Sequence, residues 1–294
     1  MAKQDNTTIL VTGANGQLGS ELKVISTYEP FEFVFTDVEE LNLIKAEAVN
    51  SFFNTHKIDY CINCAAYTAV DKAEKDVSAA RAINVEAVQN LAEACIINNT
   101  TLFHISTDFV FRGNTYKPIN EDLKPDPVSV YGFTKLEGEN LALRTNPKTV
   151  VLRTSWLYSS FGKNFVKTMI KMGKERDELG IIIDQIGTPT YAGDLAKAIL
   201  SIIKNADELD LEEKYGIYHY SNEGVASWYD FAKAIFDIKS IDVVVKPLKT
   251  EEYPTPAKRP NFSLLDKSHI KSSFKLDIPY WRDSLKLCLE LLED

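Results

Sequence analysis

The chain has 294 residues, 45% of them apolar, and can bury the core of one large α/β domain or of a main domain with a smaller partner. Its formal net charge of −9 argues against nonspecific binding to nucleic acid or to an anionic membrane, because those partners require a basic surface. No run of about 18 apolar residues occurs, and residues 1–6 lack the apolar core of a signal peptide, so a cytoplasmic protein is expected.

A strand, a glycine-rich turn and a helix are predicted in succession near the start of the chain. Residues 8–11 form a short apolar run, and Gly13, Gly16 and Gly19 follow it before a helical stretch. Glycine permits a positive φ and lets the backbone approach a pyrophosphate, whose charge then lies against the positive end of the helix dipole. This order predicts a dinucleotide-binding site, with an ordinary tight turn as the alternative.

An acidic residue follows the second predicted strand. That strand covers residues 33–35 and leads to Asp37, where a carboxylate can accept hydrogen bonds from an adenosine ribose. Charge repulsion by Asp37 would favour NADH over the 2′-phosphate of NADPH, but a capping role for this residue is an equal alternative. The choice between NADPH and NADH therefore stays open.

The third predicted strand, residues 58–63, is followed by Ala65, Ala66 and Tyr67, where small residues would let a cofactor pack on the backbone. A C-x-x-C pair lies here, but its two cysteines would point to opposite faces of the strand, so we interpret them as buried small residues. The four histidines show no metal-ligand spacing, and no metal site is predicted. Residues 84–98 show helical periodicity.

The next predicted strand, residues 101–105, brings Thr107 and Asp108 to its carboxyl end, which is where open parallel sheets bind ligands. The Thr107 hydroxyl could there hydrogen-bond a substrate oxygen or a phenol. A further strand at residues 150–154 completes a repeated βα alternation. This pattern predicts an α/β fold with a Rossmann-type, doubly wound parallel sheet.

Tyr131 and Lys135 lie four residues apart at a predicted helix start, and therefore on one helix face. Pro125 and Pro127 keep the preceding chain out of the helix. A neighbouring ammonium is expected to lower the pKa of the phenol from about 10 towards the working range, as a general acid for an alkoxide requires. Thr107 would face the same crevice.

Beyond Trp156 the alternation loosens. Helices are predicted at residues 164–174, 193–204 and 281–292, and a strand at 216–220 is placed so that it could return to the main sheet. We therefore expect an NAD(P)-binding domain at residues 1–156. Residues 157–294 are expected to form mainly a smaller substrate-binding lobe.

With these features placed, the chain resembles the extended short-chain dehydrogenase/reductase family, and within it the reductases of nucleotide-linked 4-keto sugars. The resemblance covers nearly the whole chain and rests on residues 11–19, 65–74, 106–111, 131–139, 153–156, 184–190 and 253–260. It implies reduction, by NADPH or NADH, of the C4 keto group of dTDP-4-dehydro-6-deoxy-L-mannose to give dTDP-L-rhamnose. The partner implied is thus a dTDP-sugar substrate.

The resemblance also implies roles for individual residues. The implied catalytic residues are Thr107, Tyr131 as proton donor, and Lys135, which holds the nicotinamide ribose and tunes Tyr131. Thr107, Asp108 and Trp156 would contact the sugar. The implied cofactor contacts are Gly13, Gly16, Gln17, Leu18, Gly19, Asp37, Asn42, Leu43, Ala65, Ala66, Tyr67, Thr68, Tyr131 and Lys135.

Three positions depart from the pattern of the family. Asn42 stands where relatives often have Asp, which changes little because either side chain can hydrogen-bond the adenine. Arg112 stands where an acidic or neutral residue is more usual, and it could receive the diphosphate of the substrate. Some relatives are homodimers bridged by magnesium through carboxylates, but Gly193 occupies one position where such a carboxylate would be expected. Whether the protein forms a homodimer therefore stays open, and no bridging metal ion is predicted.

Other functions are compatible with the same fold, because function depends on the site. A dehydratase is disfavoured, since Asp108 is followed by Phe109 and not by a second carboxylate. An epimerase and a different nucleotide-sugar reductase stay open. So does a noncatalytic NAD(P)-binding protein similar to the regulatory β subunit of methionine adenosyltransferase.

Overall fold

A six-stranded parallel sheet forms the centre of the computed structural model, which describes residues 7–292. The prediction that residues 1–6 lack the apolar core of a signal peptide concerns residues outside this range. The strands are β1 (Thr8–Thr12), β2 (Glu32–Thr36), β3 (Tyr60–Asn63), β4 (Thr101–Thr107), β5 (Thr149–Thr154), β6 (Leu157–Tyr158), β7 (Glu178–Ile182), β8 (Ile186–Gly187), β9 (Thr190–Tyr191), β10 (Gly216–Tyr220), β11 (Ala226–Ser227) and β12 (Val244–Leu248).

Helices cover both faces of this sheet and build most of the second lobe. They are α1 (Gln17–Ser26), α2 (Ala46–Thr55), α3 (Val70–Ala73), α4 (Val77–Arg81), α5 (Ala87–Ile97), α6 (Val130–Thr145), α7 (Phe165–Glu175), α8 (Ala192–Lys204), α9 (Trp228–Lys239), α10 (Ser268–Phe274) and α11 (Trp281–Glu290). No helix of the described residues is long and apolar enough to cross a membrane.

The strand order of the main sheet is β10-β5-β4-β3-β1-β2, and all neighbouring pairs are parallel. The predicted doubly wound parallel sheet is thus confirmed. β10 pairs with β5 along its whole length, from Gly216 opposite Val150 to Tyr220 opposite Thr154. The chain therefore returns from the second lobe to complete the sheet.

Alternate side chains of β1 show why the sheet is covered on both faces. Ile9 and Val11 pack in one core cluster with helix α8, whereas Leu10 packs in another with α2 and α5. Successive residues of a strand point to opposite faces, and both faces of a parallel sheet are buried, so β1 is an uninterrupted apolar run.

The helix predicted at residues 84–98 begins earlier than expected. α4 continues without a break into a π-helical turn, Ala82–Glu86, and then into α5. Gly138 of α6 packs against this turn, because a Cβ added there would lie 2.1 Å from the Asn84 carbonyl oxygen. A glycine is thus required where the two helices cross.

The second lobe contains α7, α9, α11 and three two-stranded pairs, β12 with β7, β11 with β8 and β6 with β9. An aromatic cluster that includes Tyr158, Phe231 and Trp281 forms its core. Helix α8 belongs to the other lobe, since it packs on α1 and on the main sheet. We retain the division at residue 156 as a proposal, with α8 and β10 assigned to the first lobe.

Candidate active site

The glycine-rich turn between β1 and α1 passes close to the end of β3. Gly13 has a φ of +63°, and a Cβ at that position would lie 2.7 Å from the Cα of Ala65. A Cβ on Gly19 would lie 2.6 Å from the carbonyl oxygen of Gly13. Only glycine therefore fits at both positions. Within residues 7–292 no side chain caps α1, so its first backbone N–H groups are available to an anion.

Asp37 lies directly beside this turn. Its carboxylate accepts hydrogen bonds from the backbone N–H groups of Asn15, at 3.0 Å, and Val38, at 2.8 Å. A cavity of about 400 Å³ opens here, which we call the turn cavity. Of the predicted cofactor-binding residues, those that line it are Gly13, Gly16, Asp37, Asn42, Leu43, Ala65 and Ala66.

A second cavity, of about 590 Å³, lies at the carboxyl ends of β4 and β5, and we call it the strand-end cavity. It shares Gly16, Cys64 and Ala66 with the turn cavity, so the two are continuous. The predicted site residues that line it are Gly16, Gln17, Leu18, Ala66, Thr68, Thr107, Asp108, Tyr131, Lys135 and Trp156. Most of the predicted site is thus assembled around one continuous space.

Three residues singled out in the sequence line neither cavity. Gly19 packs within the glycine-rich turn, and the backbone N–H of Tyr67 donates a hydrogen bond to Asn84 Oδ1. Their contacts with a cofactor stay a prediction. Arg112 is exposed and pairs with Asp126 at 2.5 Å, so its carboxylate partner neutralises the charge that was expected to receive a diphosphate.

Helix α6 presents Tyr131 and Lys135 from its first two turns. The Ser129 side chain caps the helix by accepting a hydrogen bond from the N–H of Gly132 at 3.2 Å. Lys135 is buried, and its Nζ donates to the carbonyl oxygen of Ile105 at 2.7 Å. The lysine side chain is therefore anchored to strand β4 at the base of the cavity.

The expected lowering of the phenol pKa is wrong. Burial raises the pKa of Tyr131 to about 12, although a hydrogen bond with the Thr107 hydroxyl lowers it. Burial also lowers the pKa of Lys135 to about 8, against the opposing charge of Glu139. Desolvation disfavours each charged form. At Lys135 it exceeds the effect of Glu139, and at Tyr131 the charge of Asp108 acts in the same direction as desolvation. Tyr131 is thus protonated at neutral pH, as a proton donor must be.

Thr107 and Asp108 are held together where β4 ends. The Thr107 hydroxyl donates to Asp108 Oδ1 at 3.0 Å and accepts from the N–H of Phe109 at 3.2 Å. Burial raises the pKa of the Asp108 carboxyl to about 6, against hydrogen bonds from Ser263 and Thr107 that lower it. These two side chains therefore have defined positions at the cavity wall.

A buried ion pair behind the cavity was missed in the sequence. Arg153 of β5 donates from Nη2 to Glu139 Oε2 at 2.7 Å and from Nε to both carboxylate oxygens at 3.1 Å. Ser106 also hydrogen-bonds this carboxylate. Glu139 follows Lys135 by one helical turn and raises its pKa. The only signal in the sequence was a glutamate on the same helix face as Lys135.

Asn84 was missed in the same way. Its Oδ1 accepts from the N–H of Tyr67 at 2.8 Å, and its Nδ2 donates to the Tyr67 carbonyl and to the Thr134 hydroxyl at 3.2 and 3.1 Å. The π-helical turn that carries Asn84 thus joins the segment after β3 to α6, the helix that carries Tyr131 and Lys135. Single π-helical turns within α-helices occur frequently at functional sites.

The second lobe contributes another wall of the strand-end cavity through Leu157, Lys163 and Asn164, next to Trp156 at the boundary of the lobes. Asn164 Nδ2 donates to Gln17 Oε1 at 2.9 Å and so joins this lobe to the glycine-rich turn. A further cavity of about 670 Å³, which we call the lobe cavity, lies between α7, β7 and β12. Its lining includes Phe165, Arg176, Trp228, Tyr253 and Arg259.

Within residues 7–292, no group of three or more His, Cys, Asp or Glu side chains could hold a metal ion.

Comparisons with known proteins agree over nearly the whole chain. A family described as RmlD substrate binding domain matches residues 7–293. A curated relative from Aggregatibacter actinomycetemcomitans, named dTDP-4-dehydrorhamnose reductase, is 44% identical over 95% of this chain and 97% of the relative. A crystal structure of a protein with that name from Clostridium acetobutylicum has a TM-score of 0.92 at 45% identity, covering 97% of this chain and 99% of that one. Another, from Bacillus anthracis and in complex with NADP, has a TM-score of 0.92 at 37% identity with the same coverage.

Proposed function

The chain belongs to the RmlD substrate binding domain family, and from this we propose that it reduces the C4 keto group of dTDP-4-dehydro-6-deoxy-L-mannose to form dTDP-L-rhamnose. It is thus an oxidoreductase that uses NADPH or NADH. The convergence of Thr107, Tyr131 and Lys135 on one cavity, continuous with a second cavity at the glycine-rich turn, carries the proposal. The NADP-bound relative from Bacillus anthracis supports the cofactor class.

The residues around the two cavities fit a dinucleotide. Gly13 lets the turn pass against the backbone of Ala65, and Gly16 lines both cavities without a side chain. The uncapped N terminus of α1 would face a pyrophosphate with its backbone N–H groups. Asp37 would meet the adenosine ribose, and Asn42 and Leu43 the adenine. The carboxylate of Asp37 disfavours a 2′-phosphate by repulsion and thus favours NADH, whereas the relative from Bacillus anthracis is in complex with NADP. The preference between NADPH and NADH therefore has to be measured.

The proposed chemistry divides between the cofactor and the protein. The nicotinamide supplies the hydride when bound. The phenol of Tyr131 donates its proton to the C4 oxygen as negative charge develops there. Thr107 and Asp108, held against each other at the end of β4, orient the sugar, and the buried ammonium of Lys135 stabilises the phenolate that Tyr131 becomes.

We propose that the nucleoside diphosphate end of the substrate extends towards the lobe cavity. Lys163 lines the strand-end cavity and Arg176 lines the lobe cavity, so cations lie along this route. Arg259 also lines the lobe cavity, but it is paired with Asp71 at 2.7 Å. Phe165 and Tyr253 offer aromatic faces for a base. In a chain with a net charge of −9, such local cations are what an anionic substrate requires.

The test follows the loss of absorbance of reduced nicotinamide when the purified protein meets dTDP-4-dehydro-L-rhamnose, with NADPH and NADH in parallel. Oxidation of either cofactor supports the reductase, and the ratio of the two rates gives the preference. If neither is oxidised although the cofactor binds in a fluorescence titration, the proposal fails. A regulatory subunit or an epimerase would then be the better account.

The intact set of Thr107, Tyr131 and Lys135 in one cavity favours an enzyme over a noncatalytic binding protein. A cytoplasmic location is part of the proposal, because the reaction consumes a nucleotide sugar and a reduced nicotinamide. A homodimer, the absence of nucleic-acid binding and the absence of a metal stay predictions. Sedimentation of the protein with and without a chelator tests the first and the last.

A further inference from the structure

Two tryptophan side chains form a stacked pair between the strand-end cavity and the lobe cavity. The rings of Trp156 and Trp228 have centroids 3.7 Å apart and an interplanar angle of 9°. Trp156 lines the strand-end cavity, and Trp228 lines the lobe cavity. The stacked pair therefore lies between the two cavities, with one indole lining each of them.

The backbone of Trp156 has an unfavourable conformation. Its φ is +49°, a region in which a bulky L-residue is a genuine outlier. Such a residue persists only when surrounding contacts determine its conformation, and outliers of this kind cluster at functional sites. The Trp156 ring therefore depends on neighbouring side chains for its position.

Trp228 is the largest of those neighbours and is itself held in place from several directions. Its Nε1 donates to Gln185 Oε1 at 3.2 Å, and the buried Gln185 in turn donates to the Thr250 hydroxyl at 3.1 Å. The Phe165 ring lies 4.7 Å from the Trp228 ring. Trp228 is also the first residue of α9, whose N-terminal Ser227 forms a capping box. These contacts fix the position of the Trp228 ring against which Trp156 stacks.

Gly187 restricts the Trp156 ring from another side. A Cβ at this position would lie 2.9 Å from Cε2 and 3.0 Å from Cζ2 of that ring. The backbone of Gly187 does not have a positive φ, so an alanine there would act through this contact with the indole and with Ser263, which lies 2.9 Å away. Gly187 thus offers a second way to displace Trp156, one that also disturbs Ser263, a hydrogen-bond partner of Asp108.

We propose that Trp228 is a positioning residue for the reduction: by stacking on Trp156 it sets the angle of the indole wall against which the keto sugar lies. The inference rests on the proposed function for its kinetic part. A misplaced wall tilts the sugar relative to Tyr131 and the cofactor, and an error of about 1 Å in such a position can cost about 100-fold in rate. Cofactor binding is unaffected, since Trp228 lines neither the turn cavity nor the strand-end cavity.

The kinetic test compares Trp228→Ala, Trp228→Phe and Gly187→Ala with the parent protein. We expect Trp228→Ala to lower kcat/KM for the dTDP-sugar by about 10- to 100-fold, with the dissociation constant of NADPH unchanged. Trp228→Phe keeps an aromatic ring for stacking and is expected to recover most of the loss. Gly187→Ala should reproduce the effect of Trp228→Ala from the opposite side.

Trp281→Phe is the matched control. Trp281 is buried in the core of the same lobe but lines none of the three cavities. Its substitution perturbs packing, so it lowers the melting temperature while kcat/KM stays near that of the parent protein. Equal kinetic losses in Trp281→Phe and Trp228→Ala would show that Trp228 acts only through the stability of the lobe, and the inference would fail.

A second readout does not depend on turnover. The chain contains three tryptophans, so protein labelled with 5-fluorotryptophan gives three fluorine resonances. We expect Trp228→Ala to shift and broaden the Trp156 resonance, assigned from a Trp156→Phe sample, whereas Trp228→Phe leaves it narrow. Loss of the stacked ring changes the chemical shift in any case, so the line width is the test: a Trp156 resonance as narrow in Trp228→Ala as in the parent protein overturns the inference. Failure of the parent protein to oxidise NADPH or NADH overturns only the proposed reaction.

Discussion

Substitution of Glu139 by glutamine breaks the buried ion pair behind the proposed site. Glu139 and Arg153 are both almost completely buried, and the guanidinium makes three hydrogen-bond contacts of 2.7 to 3.1 Å with the carboxylate. Glutamine has nearly the same shape but no charge, and one of its two terminal groups is a donor that faces other donors. Arg153 is then left as a buried cation without a counter-charge.

Removal of one partner of a buried pair typically destabilises a protein by about 3–5 kcal/mol, because the other charge remains desolvated. A folded domain is stable by only about 5–15 kcal/mol, so Glu139→Gln should remove a large part of the free energy of unfolding. We expect urea unfolding, followed by circular dichroism, to show a lower midpoint with an unchanged slope.

Glu137→Gln is the matched control on the same helix. Glu137 pairs with Arg81 at 2.6 Å, but the side chains are 42% and 44% exposed, so the loss should stay below about 1 kcal/mol. A double variant, Glu139→Leu with Arg153→Met, removes both charges and should recover part of the stability. If Glu139→Gln loses no more than Glu137→Gln, the argument from burial is refuted.

Three further predictions concern the site. Tyr131→Phe should lower turnover by about 100- to 10,000-fold because the proton donor is lost, while the NADPH dissociation constant is unchanged; near-normal turnover would exclude the assigned role. The value of kcat/KM should fall as pH rises through about 8, because the buried Lys135 loses its proton there. It should not wait for the pKa of Tyr131 at about 12. In Lys135→Arg the side chain stays charged, so this decline should be absent. Gly138→Ala should lower the urea midpoint, since its Cβ would lie 2.1 Å from the Asn84 carbonyl oxygen, whereas an unchanged midpoint would show that the two helices can separate without cost.

The sequence by itself determined the main sheet and the placement of Tyr131 and Lys135 on one helix face. The apolar runs of β1 to β5, with a glycine-rich turn after the first, indicate the parallel strands of the sheet, and the predicted boundaries of these five strands lie within about two residues of those observed. Tyr131 and Lys135 share a helix face because residues four apart always do. These features depend on local geometry, which a pattern of residue types is enough to specify.

Other features were decided only by the tertiary structure. The partners Trp156 and Trp228, and likewise Glu139 and Arg153, come from different elements, and no spacing in the sequence indicates that they meet. The direction of the Tyr131 pKa shift is the clearest example. A lysine one turn away suggested a lower pKa, but the folded chain buries both groups, and desolvation raises the phenol pKa to about 12. Burial is the sum of contacts from distant segments, and therefore it is determined only when the whole chain has folded.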